Sequence, residues 1–283
     1  MVYYFSCSML FLFIQYSGVA TAFDGQGITF KMANSSHFQQ IHQLLEEDFF
    51  PDEPMSRSCG STQSAYYWTW VWVEKALLKF QTVVALDQNG TVIGVNLGKD
   101  EEKEEAGTAE NGKEEDAEKD KEGKSVFWCP DCTSLWEYQI HLMWILKTFF
   151  GSLTPSYFGN SPESAVYNKA SEVLGYKNIT KLMSELKCKR MYDLFVLSVR
   201  RSARVRGLGT ELVRIGEEEA RGRGCGCARV FATSRFSARI FDKLGWTQTG
   251  KLRYDDFVDE EGDIILKETG DHKKMVTFSK VFS

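Results

Sequence analysis

The chain has 283 residues, 43% of them apolar and 26% charged, with 20 Phe, enough to bury the core of one large or two small domains. Its formal charge of −5 is unevenly placed: residues 100 to 122 hold twelve Asp and Glu against four Lys, leaving a surplus of three positive charges elsewhere. That mildly basic remainder suits a small polyanionic ligand but is too weak to indicate nucleic acid, and only five prolines argue against a proline-rich linker.

Residues 1 to 23 contain no Lys or Arg, an apolar stretch from Met9 to Ile14 and the small-residue triplet Ala20-Thr21-Ala22. This is half of a secretory signal, lacking the positive n-region, and it is short and polar-interrupted for a membrane span, so a membrane partner is not indicated. We read residues 1–23 as a signal or extension and 24–283 as one domain. The compartment is read as cytoplasmic, with secretion as the alternative. Three glycosylation sequons, at Asn34, Asn89 and Asn178, add little, because such triplets arise by chance.

Ile28 to Met32 alternates as a strand. Ser36, followed three residues later by Gln39, has the spacing of a capping box opening a helix from Phe38 to Phe50, with Phe38, Ile41, Leu45 and Phe49 on one face. Pro51 and Pro54 then force a turn that displays Asp52 and Glu53. Ser64 to Phe80 reads as a buried helix. Val83 to Leu86 and Thr91 to Asn96 read as a hairpin around Asn89-Gly90. From about 100 to 124 the composition cannot offset the entropy of ordering, and a disordered acidic insertion is expected.

Helices are expected at Leu135 to Phe150, Glu163 to Leu174 and Thr180 to Cys188, then a strand at Met191 to Val199. A helix from Leu208 to Ala220 is ended by Gly222 and Gly224, and a strand follows at Ala228 to Ala232. A short helix at Ser234 to Leu244 and strands at Trp246 to Phe257 and Lys274 to Phe282, turning at Asp259 to Gly262, close the chain. This order describes an α/β fold, a mixed and mostly antiparallel central sheet with helices on both faces.

The most informative stretch runs from Leu197, Ser198 and Val199 through Arg204, Val205, Arg206, Gly207, Leu208 and Gly209 to Thr210: a strand end, a basic loop and the first turn of a helix. Glycines let the backbone approach an anion, unsatisfied helix N–H groups point at it, and the helix dipole adds a favourable field. The spacing fits neither a Rossmann fingerprint nor a P-loop. Arg204-x-x-Gly207-x-Gly209 after a strand is similar to the acyl-CoA pyrophosphate loop of GNAT acetyltransferases. Phe49-Phe-Pro-Asp-Glu53-Pro54 and the stretch from Ala232 through Ser237 to Gly245-Trp246 narrow the resemblance to invertebrate arylalkylamine (dopamine-type) N-acetyltransferases, over roughly residues 26 to 283.

That resemblance implies a GNAT fold, acetyl-CoA as cosubstrate and a small amine as acceptor. It implies Glu53 as general base, main-chain N–H groups near Leu197, Ser198 and Val199 that polarise the acetyl carbonyl, and late-helix hydroxyls that serve the departing thiolate. The hydroxyl candidates are Thr233, Ser234 and Ser237; Thr233 and Ser237 lie four apart, and Ser234 is equally readable as a helix cap. Polyamines or other alkylamines, and acyl-CoA binding without turnover, are the competing readings.

Other signals are discounted. Cys129-Pro-Asp-Cys132 lacks two further ligands at a familiar spacing, so no metal is expected. Most of the seven cysteines read as reduced thiols. His141 reads as a packed or surface histidine, and the aromatic run Tyr66 to Trp72 reads first as core packing.

Overall fold

The computed structural model describes residues 21–23, 27–58, 73, 76–77, 79, 81–102, 169, 178–204 and 207–282. Among these, eight strands form one sheet: β1 (Thr21–Phe23), β2 (Ile28–Met32), β3 (Thr82–Leu86), β4 (Val92–Glu102), β5 (Arg190–Val199), β6 (Cys227–Ala232), β7 (Thr247–Arg253) and β8 (Lys274–Val281), in the order β1-β2-β3-β4-β5-β6-β8-β7. All neighbouring pairs are antiparallel except β5 and β6. Among the described residues, the α-helices with defined bounds are α1 (Phe38–Leu44), α2 (Pro54–Ser58), α3 (Ile179–Glu185), α4 (Leu208–Gly222) and α5 (Arg235–Lys243).

Alternation along β3 sorts the two faces. Val84 and Leu86 pack with Phe38, Ile41 and Leu44 of α1, whereas Val83 and Ala85 pack with Leu208, Leu212 and Ile215 of α4. Both faces are thus covered, as expected from the order of elements. On the α4 face, Phe241 of α5 and Trp246 join Val213, Val230 and Phe278. On the other face, Met55 of α2 joins Tyr254, Phe257, Leu266 and Met275.

Several local expectations shift. The cap of the first helical segment is Asn34 rather than Ser36: its Oδ1 accepts the Ser36 N–H at 3.1 Å, and His37 Nδ1 accepts the Asn34 N–H at 3.1 Å. An Asx side chain reaches the N–H two residues on, which opens a short 3-10 turn at Ser35–His37 before α1. After Leu44 the helix widens into a π turn at Leu45–Phe49, and Phe50 rather than Phe49 becomes fully buried. The hairpin at Asn89-Gly90 is as expected, with Gly90 at φ +76° and the Asp87 carboxylate accepting the N–H groups of Asn89 and Thr91.

The acidic segment begins later than composition suggests. Asp100, Glu101 and Glu102 belong to β4, where the Asp100 carboxylate is buried between the guanidiniums of Arg190 (3.0 Å) and Arg223 (2.8 Å). Residues 103–124 of the expected insertion lie outside the described residues, as do the expected helices at Leu135 to Phe150 and Glu163 to Leu174 and the aromatic run at Tyr66 to Trp72. Cys188 and Cys227 are disulfide-bonded, with Cα atoms 6.0 Å apart. Cys225 is a buried free thiol whose burial pushes its pKa up to about 12. The strand expected to reach Phe257 stops at Arg253, because Tyr254–Asp256 turns in a 3-10 helix and seats Tyr254 in the core.

Candidate active site

The parallel pair β5 and β6 is joined only from Met191 to Leu194 and from Cys227 to Val230. Beyond these residues β5 stays with β4 as far as Val199 and β6 stays with β8 as far as Ala232, so the two strands part and leave a cleft at the C-terminal end of the sheet. A bulge precedes the opening: Leu97 pairs with Val196 and Gly98 with Leu194, leaving Phe195 as the extra residue. Phe195 and Val196 consequently both pack on the α1 face, while Leu197 and Val199 face α4.

Main-chain polar groups alternate in direction along a strand. The Arg200 N–H bonds Ile93 of β4, while the Val199 carbonyl takes Nε of Arg204 instead of a strand partner. Leu197 and Val199 therefore turn their N–H and C=O groups to the open side, away from β4. Ser198 Oγ is buried and has no hydrogen-bond partner among the described residues. Of the three strand-end residues, Leu197 and Val199 turn their N–H groups to the open side, and Ser198 turns its own toward β4.

Gly207 holds φ at +77° and precedes the first turn of α4, whose N–H groups at Leu208, Gly209 and Thr210 lie at the helix N-terminus. A Cβ at Gly209 would lie 2.9 Å from Cδ1 of Ile240, so that side-chain end would have to shift. Such a helix N-terminus suits an anion. Val205 and Arg206 lie outside the described residues. Arg204 does not reach out as a free cation; it donates to the Val199 carbonyl (3.0 Å), the Asp48 carbonyl (2.8 Å) and the Asp52 carboxylate (2.5 Å).

Arg201 also grips Asp52, at 2.9 and 3.2 Å, and its backbone N–H bonds Asp48 at 3.0 Å. The Arg201 hydrogen bonds, with those of Arg204, hold the Asp52 carboxyl below the usual range. The glycine loop is thereby tied to the turn that carries Glu53. Glu53 itself caps α2: its carboxylate accepts the N–H of Met55 (3.1 Å), the N–H of Ser56 (2.6 Å) and the Ser56 hydroxyl (2.7 Å). Three of roughly four acceptor positions on the carboxylate are used, which fixes its orientation.

The third wall is the end of β6 and the start of α5. Ser234 is the cap, its Oγ accepting the Ser237 N–H at 3.1 Å and lying 2.9 Å from Ser237 Oγ. Thr233 precedes the cap, so it does not share a helical face with Ser237; the chain turns extended at Ser234, and α5 begins only at Arg235. The Thr233 carbonyl accepts the hydroxyl of Tyr254 at 2.5 Å. His272 Nδ1 accepts the Arg235 N–H at 3.2 Å, and burial lowers its pKa.

Tyr254 and His272 both feel the charge of Glu53. Neither is flagged by any motif, because each sits about 200 residues from Glu53 in the chain; that His272 is one of only four histidines was the available hint. Among the described residues no cluster of His, Cys, Asp and Glu could hold a metal ion, and no helix is long and apolar enough to cross a membrane.

Residues 123–246 match the model of the Acetyltransferase (GNAT) family. No curated protein sequence gives a significant match. Among solved structures, arylalkylamine N-acetyltransferase 2 from Aedes aegypti superposes with a TM-score of 0.63 at 19% identity, covering 90% of this chain and 99% of that one. The polyamine N-acetyltransferase of Drosophila melanogaster gives 0.60 at 16% identity, covering 90% and 100%. A putative arylalkylamine N-acetyltransferase 7 from Aedes aegypti gives 0.62 at 13%, covering 90% and 87%. The chain has the GNAT fold, and its match to the GNAT acetyltransferase family supports an acetyl-CoA-dependent N-acetyltransferase.

Proposed function

We propose that the protein transfers the acetyl group of acetyl-CoA to the primary amine of a small arylalkylamine, with Glu53 as general base. An alkylamine with a pKa of about 10 arrives protonated and cannot attack a thioester until it loses that proton. Glu53 stands at the open end of the sheet, clamped by α2, on a turn tied through Asp52 to the glycine loop; this arrangement is the observation that carries the reading. Glu53 takes the proton, directly or through water. The N–H groups of Leu197 and Val199 lie where they can polarise the acetyl carbonyl. Bound acetyl-CoA supplies the acyl group, its phosphates held at Gly207, Leu208, Gly209 and Thr210. Ser237, hydrogen-bonded to Ser234, is the hydroxyl best placed to serve the departing thiolate, because Thr233 stands outside the helix.

A polyamine or other alkylamine is the second reading, supported by the similarity to the Drosophila melanogaster polyamine N-acetyltransferase. The test is CoA release from acetyl-CoA with tryptamine, dopamine and spermidine, for the wild type and Glu53→Gln. Turnover with the aromatic amines that falls at least about tenfold in the variant supports both the reaction and the base. Binding of acetyl-CoA without turnover of any amine would leave an acyl-CoA-binding protein.

A further inference from the structure

Phe236, the second residue of α5, is 57% exposed. A single exposed apolar side chain is ordinary on a protein surface; its surroundings single this one out. Its ring stands edge-on to the His272 ring, with centroids 5.6 Å apart and planes at 81°, and the Arg235 guanidinium lies 4.9 Å from its centroid. The segment leading to His272 lies along α2: the Glu268 N–H bonds Ser58 Oγ at 3.1 Å, and a Cβ on Gly270 would lie 3.1 Å from the Arg57 guanidinium. Glu53 caps the same helix at its other end. His272 thus touches Phe236 and lies within reach of the charges of Glu53 and Arg57, while Arg235 lies against the Phe236 ring.

We propose that Phe236 is a specificity-determining residue of the amine site: its ring stacks with the aromatic ring of the acceptor, while Arg57 and Arg235 disfavour an acceptor with a second positive charge. This rests on the reading of Glu53 as the base of an amine acetyltransferase and names the acceptor class at that site. Two rings with centroids 4.5–7 Å apart attract in offset or edge-on geometry, a gain that an alkyl chain of equal length does not match. A polyamine must place its further ammonium groups near the two guanidiniums. Asp271 offsets Arg235 only weakly, at 3.7 Å and 84% exposed.

The test uses the full chain and compares kcat/KM for phenethylamine, n-hexylamine and spermidine in the wild type, Phe236→Ala, Phe236→Tyr and Arg235→Gln. Because Phe236 is exposed, its truncation opens no buried cavity. Phe236→Ala is expected to lower kcat/KM for phenethylamine about five- to tenfold through KM, and that for n-hexylamine less than about twofold, with Phe236→Tyr restoring the aromatic preference. Arg235→Gln is expected to raise spermidine relative to phenethylamine about threefold. Equal losses for both monoamines, or no loss, overturn the stacking role, and an unchanged spermidine ratio overturns the charge role. If the wild type acetylates none of the three, the enzymatic reading fails separately. Calorimetric titration of phenethylamine into the CoA-loaded protein then decides: weaker binding in Phe236→Ala keeps the ring contact, and equal or undetectable binding overturns it.

Discussion

Two arginine and carboxylate clusters sit at opposite ends of the β5 and β6 pair and use the same chemistry for different ends. Where the strands are joined, Asp100 is buried between Arg190 and Arg223, and Arg229 pairs with Asp193 at 3.0 Å with both side chains about 5% exposed or less. Burial opposes ionisation of Asp100, yet the hydrogen bond and charge of Arg223, with the charge of Arg190, outweigh it and hold its pKa down. Where the strands part, Asp52 is 38% exposed, and its partners Arg201 and Arg204 are 53% and 41% exposed. Buried partners are locked, because each would be left desolvated without the other; half-exposed partners can exchange for water or for the phosphates of a ligand at little cost. The joined end holds the sheet, and the parted end is free to do chemistry.

The comparison breaks most visibly if either end acts outside its role. Asp100→Ala leaves two arginines beside a buried position and is expected to lower stability by about 3–5 kcal/mol, read from the urea midpoint, with KM for both substrates unchanged in the protein that remains folded. Glu53→Gln is expected to do the reverse. It lowers kcat by about a hundredfold, while stability falls by only about 1 kcal/mol, because the single amide oxygen can keep the Ser56 N–H and only the contact to Met55 is lost.

Acid sharpens the same contrast. Burial pushes the His42 imidazole down to about 4, against about 6.5 in the unfolded chain, and burial lowers His37 as well. Between these values the unfolded chain binds more protons, so stability is complete above about pH 6.5 and declines as pH falls toward 4, by up to about 3 kcal/mol from His42. Chemical denaturation at pH 7 and pH 5 reads this slope, and His42→Leu should flatten it. The smallest effect is at the loop. Gly209→Ala pushes a Cβ toward Ile240 and is expected to raise KM for acetyl-CoA several-fold, with the amine KM changing less than about twofold.

Local patterns carried much of the fold. The alternation of β2, the Asn89-Gly90 turn, the spacing of α4 and the hydroxyl cap of α5 are each decided within a few residues, and the structure has all four. Composition misled at Asp100 to Glu102, because a run of carboxylates reads as solvated until the arginines that neutralise Asp100, 90 and 123 residues away, are brought to it. The glycine loop and the Asp-Glu-Pro turn were legible as motifs. That Arg204 faces Asp52 instead of solvent was not, since the Asp52 carboxylate that claims it lies 152 residues away.

By itself, then, the sequence determined the α/β class, the glycine loop at the head of α4 and the carboxylate on the proline-flanked turn, because backbone preference and periodicity act over short spans. Only the tertiary structure decided that β5 and β6 part after Leu194 and Val230, that the Glu53 turn is tied to the glycine loop, and that Tyr254 and His272 come within reach of its charge. The parting of the strands and the approach of Tyr254 and His272 depend on residues far apart in the chain, whereas the cap itself is local, to Met55 and Ser56, and only its place beside the glycine loop is tertiary, set by the Asp52 pairs with Arg201 and Arg204.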